Sequence, residues 1–220
     1  MSELVHQIRT GMADLHDRLE RLPMPQQIAS GTVLADDYRD LLTQLLALHE
    51  VLESELVRNR IDLFQPEMAR IVALQTDLAK IPTVSPALPI LPETEALIAK
   101  IRQWSQSEPI ALLGCLYIFE GSRMGSRLLA KQVAKALQVP VEPGQGIDYH
   151  LDASQNQVAR WMSFKSALDS LPLSAELQQQ VAEAAIETMT GLFHIYAALP
   201  RTGQTVGATA TQAPLENPVA

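Results

Sequence analysis

Apolar residues recur along most of the chain at spacings of three and four. Leu4, Ile8, Met12, Leu15, Leu19 and Leu22 form a first stripe, which predicts an amphipathic helix that Pro23 and Pro25 end. A second stripe, Tyr38, Leu41, Leu45, Leu48, Leu52 and Leu56, predicts a helix from residue 35 or 36 to 59. Pro66 suits a first helical turn, where its missing N–H is not needed, so one helix is expected over 66–80. The prolines of 81–92 predict a loop, and 93–105 reads as a further amphipathic helix. The longest helix is expected over 109–138, opened by Ser107-Glu108-Pro109 and ended before Val139-Pro140. Its first half, Ile110 to Phe119, is apolar on every side, which predicts burial all round. A loop over 140–153 leads to helices over 154–170 and 174–199, the last capped by Ser174. No strand-like alternation and no internal repeat is visible. The pattern predicts an all-α chain of about seven helices in a single domain over 1–199, followed by a disordered tail over 200–220.

Composition narrows the function. A chain of 220 residues needs no disulfide or metal to build a core. Its net charge of -8 argues against a broad basic surface for nucleic acid. The single cysteine, Cys115, lies in an apolar run and reads as a buried small hydrophobe in a reducing compartment. The N-terminus has no signal pattern, and no apolar run reaches the roughly 20 residues of a membrane span, so the cytoplasm is the default location.

The most informative stretch is Tyr117-Ile118-Phe119-Glu120-Gly121-Ser122-Arg123-Met124-Gly125-Ser126, in the middle of the longest predicted helix. Each glycine there costs about 1 kcal/mol of helix stability relative to alanine. Gly121 and Gly125 share a face, where missing side chains admit either a neighbouring helix or a flat ligand close to the backbone. In the first helix His16 sits at the edge of the apolar stripe, with Arg9 on the same face about 10.5 Å away along the axis. An imidazole for a metal centre and a cation for a carboxylate at that separation suit haem.

Leu15-His16-x-x-Leu19-Glu20 and Tyr117-x-x-Glu120-Gly121-Ser122-x-x-Gly125, in this helix order, resemble the bacterial, biliverdin-producing heme oxygenase family, in particular its phytochrome-associated branch. The resemblance covers 1–199 and implies a helical bundle with a kinked distal helix. It implies that His16 is the proximal iron ligand, and that Gly121 and Gly125 let the distal helix lie almost flat on the haem. Ser122 stands where other branches carry an aspartate that orders water, and Ser126 replaces a second glycine. Arg9, Tyr117 and Lys165 match contacts to the haem propionates. Met12 and Arg123 also depart from the family pattern, which puts rate and regiochemistry at issue.

The implied activity is O2- and electron-dependent cleavage of haem b, cofactor and substrate at once, at a meso carbon, giving biliverdin, carbon monoxide and ferrous iron. A chain without a nucleotide-binding fingerprint takes its electrons from outside. Arg123, Arg127, Lys131 and Lys135 form an i, i+4 ridge that would suit an acidic ferredoxin, flavodoxin or reductase. Basic residues toward a helix C-terminus also favour the helix dipole. The alternatives are a noncatalytic haem carrier or sensor on the same fold, and a helical interaction protein.

Other groupings are weaker. His49, among leucines, reads as a core histidine, His6 and His150 as surface residues, and His194 as a residue that packs near the pocket. The paired Glu-x-x-His spacings of a di-iron bundle are absent, as are a zinc spacing, a phosphate loop and a nucleophile elbow.

Overall fold

The computed structural model describes residues 3–82, 84–151 and 157–199, and the predicted tail lies outside them. The described chain is all helical, as its periodicity implies, with nine α-helices: α1 (Glu3–Glu20), α2 (Pro23–Ser30), α3 (Ala35–Arg58), α4 (Ile71–Lys80), α5 (Pro92–Ser107), α6 (Leu112–Ser122), α7 (Ser126–Leu137), α8 (Gln157–Asp169) and α9 (Ala175–Ala198). Short 3-10 turns lie at Pro66–Met68, Pro109–Ala111 and Arg123–Gly125. No helix is long and apolar enough to cross a membrane among the described residues.

α9 is the hub, packing against α1, α5 and α6, while α3 packs on α4 and α5. The stripe of α3 supplies Tyr38, Leu41, Leu48 and Leu52 to the core, each almost fully buried, and Ser174 caps α9 by accepting from the Leu177 N–H. α6 is buried from Leu112 to Glu120, as its all-round apolarity predicts. Gly114 permits its closest approach to α9: a Cβ there would collide with the Val181 carbonyl and sit 2.6 Å from the Ala185 nitrogen.

Three boundaries differ from expectation, each for a local reason. Pro23 ends α1 but also starts α2, standing at its first turn, where proline is pre-organised for helix. The helix expected over 66–80 is split, because the Arg70 N–H is committed to Glu53 Oε1 of α3 at 2.7 Å and Ala69 is extended. The long helix over 109–138 is interrupted by the 3-10 turns at Pro109–Ala111 and Arg123–Gly125.

The second interruption is the kink that the resemblance implies, and its serines explain it. Ser122 Oγ donates to the Phe119 carbonyl at 2.7 Å, and Ser126 Oγ donates to the Arg123 carbonyl at 2.8 Å. Side-chain hydroxyls that take carbonyls from the preceding turn bend a helix. The Ser126 N–H also reaches the Arg123 carbonyl, the i to i+3 bond of a tightened turn.

Candidate active site

α1 carries two adjacent stripes. Leu4 and Ile8 are buried in the core, while Val5, Arg9, Met12 and His16 line an open cleft of about 660 Å³. The facing wall is the end of α6, with Tyr117, Ile118, Gly121 and Ser122, followed by Met124 of the kink. α8 closes a third side with Trp161, Met162, Lys165, Ser166 and Asp169, and Met189 comes from α9. The volume lies within the roughly 300–1,000 Å³ of cofactor and small-molecule sites.

Six of the eight sequence-derived site residues meet in one cleft, Arg9, His16, Tyr117, Gly121, Ser122 and Lys165, while Gly125 and Ser126 do not line it. A Cβ on Gly125 would meet nothing within 4 Å, so space does not demand glycine there. Ser126 is buried, and its hydroxyl receives the Gln157 amide at 3.2 Å. On Gly121 a Cβ would stand 3.3 Å from Trp161 Cη2, so the absence of a side chain serves the α6–α8 contact as well as the cleft.

The His16 side chain is 47% exposed, and its Nδ1 faces Glu20 Oε1 one turn later at 3.7 Å, within ion-pair reach but beyond hydrogen-bond length. That arrangement suits a metal-ligating imidazole, whose other nitrogen is commonly oriented by a carboxylate. Burial raises the Tyr117 pKa against the opposing pull of Arg9, so the phenol remains a donor. The Lys165 ammonium lies 5.2 Å from the centre of the Trp161 ring, which itself packs on Tyr117 at 4.9 Å. Among the described residues no group of three or more histidine, cysteine and carboxylate side chains could hold a bare metal ion. A single imidazole in an apolar cleft with basic residues on its walls fits an iron held mainly by a macrocycle with carboxylate arms.

Sequence reading missed Trp161, Asp169, Met124, Met162 and Met189 as lining residues. Trp161 and Asp169 lie one turn either side of Lys165, so the face that carries the one carries the others. Asp169 Oδ1 is buried without a hydrogen-bond partner in the protein.

A polar network behind α6 was equally unexpected. The core placement of His49 holds, with its Nδ1 3.0 Å from Glu53 Oε1, and burial lowers its pKa against the opposing pull of Glu53. His150 is not a surface residue: it is 7% exposed, stacks on Tyr38 at 5.9 Å, and burial pushes its pKa down to about 3. The loop before it is pulled inward by Asp77 of α4, whose carboxylate receives the N–H groups of Asp148 at 2.7 Å and Tyr149 at 2.8 Å. His6 is exposed as expected, and His194 is exposed on α9, lining a separate groove with Lys100.

The basic ridge is also corrected. Arg123 is buried, donating from Nη1 to Glu120 Oε1 at 2.7 Å and to the Glu67 carbonyl at 3.2 Å. Arg160 of α8 reaches the other oxygen of Glu120 at 3.4 Å. Only Arg127, Lys131 and Lys135 of the four are exposed.

Known proteins share this fold. A heme oxygenase of Leptospira interrogans superposes with a TM-score of 0.80 at 26% identity, over 90% of this chain and 99% of that one. Heme oxygenase-1 of the cyanobacterium Synechocystis sp. PCC6803, solved in complex with heme, shares the fold with a TM-score of 0.77 at 19% identity, over 88% and 90% of the two chains. In sequence, the heme oxygenase of Guillardia theta is 27% identical over 194 residues, 84% of this chain and 81% of that one. The heme oxygenase family matches residues 2–198, a span that holds α1 with His16, the kinked α6–α7 pair and all the helices that frame the cleft, and the chain belongs to that family.

Proposed function

We propose that the cleft between α1, α6 and α8 is the haem site of this heme oxygenase, where His16 would hold the iron. The observation that supports this is the convergence of His16 and the side-chain-poor Gly121–Ser122 step on one cleft that also presents Arg9, Tyr117 and Lys165. Bound there, haem supplies both the iron that activates dioxygen and the meso carbon that is oxidised, giving biliverdin, carbon monoxide and ferrous iron.

The protein's own groups have distinct tasks. His16 Nε2 is the nitrogen left for iron when Glu20 holds the Nδ1 side. Arg9 and Lys165 provide positive charge for the propionates, and the protonated Tyr117 phenol provides a hydrogen bond. Ser122 Oγ already spends its proton on the Phe119 carbonyl, so toward the cleft it acts as an acceptor that orients water. Ser126 serves by shaping the kink, and Ser122 in place of aspartate supports membership of the phytochrome-associated branch, with biliverdin made as chromophore. Electrons arrive from an acidic ferredoxin, flavodoxin or reductase at the exposed ridge of Arg127, Lys131 and Lys135.

Turnover under air tests the reading. Protein loaded with hemin and supplied with ascorbate is expected to lose its Soret band and gain the broad red absorbance of biliverdin; a stable ferrous or oxygenated spectrum would instead identify a haem carrier. Reversal of Lys131 and Lys135 to Glu is expected to slow ferredoxin-driven turnover and spare ascorbate-driven turnover, and equal slowing of both would remove the ridge as the docking face.

A further inference from the structure

Leucine dominates the buried core, yet none lines the cleft. Four of the seven methionines do instead: Met12, Met124, Met162 and Met189, from α1, the kink, α8 and α9. Met124 is 39% and Met162 56% exposed, which is unusual for large apolar side chains in this molecule. A thioether fills irregular space much as leucine does, but its sulfur is a two-electron reductant that leucine lacks.

We infer that the cleft methionines, Met124 and Met162 foremost, are oxidative modification sites that intercept hydrogen peroxide formed in the cleft. This rests on haem occupying the cleft. Two-electron, two-proton reduction of dioxygen yields hydrogen peroxide when oxidation of the macrocycle does not follow. The thioether sulfur attacks one peroxide oxygen, the O–O bond breaks, and the other oxygen leaves as water. Sulfur is oxidised to the sulfoxide and peroxide is reduced, with no other reactant required. Cys115 does not compete, since it is fully buried and its thiol pKa is pushed up to about 12 by burial. Sulfoxide oxygens would make an apolar, adaptable wall polar, so the modification weakens the grip on a flat apolar ligand, and reduction by methionine sulfoxide reductase restores it.

The test maps sulfoxides by peptide mass after incubation of the full chain with hemin and ascorbate under air, with and without catalase. Met24 and Met68, 4% and 6% exposed and outside the cleft, are internal controls. The expected result is sulfoxide at Met124 and Met162 at roughly ten times the level at the controls. It should depend on hemin and persist with catalase, because peroxide made in the cleft meets the sulfur before it reaches solution. Loss of the modification on adding catalase, or equal modification without hemin, would overturn the inference. So would oxidised protein that binds fresh hemin as tightly as before; the expected loss is about fivefold, reversed by the reductase and reduced in the Met124→Leu/Met162→Leu variant. The hemin titration of the same sample separates the two claims: no Soret band removes the haem site and this inference together, whereas a normal band without sulfoxide removes this inference alone.

Discussion

Arg123 Nη1 and Glu120 Oε1 lie 2.7 Å apart, one turn from each other across the break between α6 and α7, and both side chains are buried. An arginine at this place in the distal motif looks, in sequence, like one more cation of a surface ridge. In the folded chain it pairs with a buried carboxylate, whose other oxygen faces Arg160 of α8.

Removing that carboxylate leaves two guanidinium groups without their shared acceptor. Glu120→Ala is expected to cost about 3–5 kcal/mol of stability, the size found when one partner of a buried ion pair is deleted. Urea unfolding measures it, and a cost under about 0.5 kcal/mol, the usual range for surface positions, would show that the pair is solvated.

His16 is exposed and packs little, so its loss should separate binding from folding. His16→Ala is expected to unfold within about 0.5 kcal/mol of the parent chain while its hemin complex loses the Soret position of a histidine ligand. An unchanged spectrum would assign the iron to another side chain.

Gly114 and Gly125 should respond oppositely to a methyl group. Gly114→Ala drives a Cβ into the α9 backbone, which cannot step aside as a side chain can, and a loss of about 1–3 kcal/mol or more is expected. Gly125→Ala meets open space at a negative φ, so thermal unfolding should be unchanged or shifted slightly upward. Equal destabilisation by both would contradict the packing described for α6 and α9.

Acid should act through His150. Burial holds its folded pKa at about 3, below the ordinary 6.5, so the unfolded chain takes up a proton that the folded chain refuses. Stability from this group is complete above pH 6.5 and is lost as pH falls toward 3, at up to about 1.4 kcal/mol per unit. Asp77 works the other way: burial lifts its pKa from 3.8 to about 7, so its contribution declines as pH rises between those values. His150→Phe keeps a ring against Tyr38 and deletes only the first effect. Between about pH 7.5 and about pH 5 the parent should lose about 2 kcal/mol more than the variant, read from urea unfolding at each pH. Parallel losses would mean that the imidazole is protonated in the folded chain.

How much of this was legible in the sequence depended on whether a residue's partner was close along the chain. The stripes of α1 and α3 follow from periodicity, and His16, Arg9 and the Gly121–Ser122 step were visible because each has its meaning within one helix or one motif. What escaped depends on distant partners. Arg70 interrupts a helix because Glu53, on another element, holds its amide, and no pattern within 66–80 contains that information. His150 sits in a loop rich in glycine and proline, where polar residues are ordinarily solvated; its burial comes from Asp77, far earlier in the chain. Arg123 was read with its i+4 neighbours, when its decisive neighbour was Glu120 at i−3.

The grip of Asp77 on the loop bears on timescale. With no exposed surface of its own, this carboxylate encloses the amide protons of Asp148 and Tyr149, while Arg70 holds their carbonyls from the same side. Those two protons can exchange with solvent only when the loop lifts away from α4. A segment with no regular secondary structure should therefore share the slow hydrogen-exchange clock of the helices around it, and resist proteases where irregular chain is ordinarily cut first.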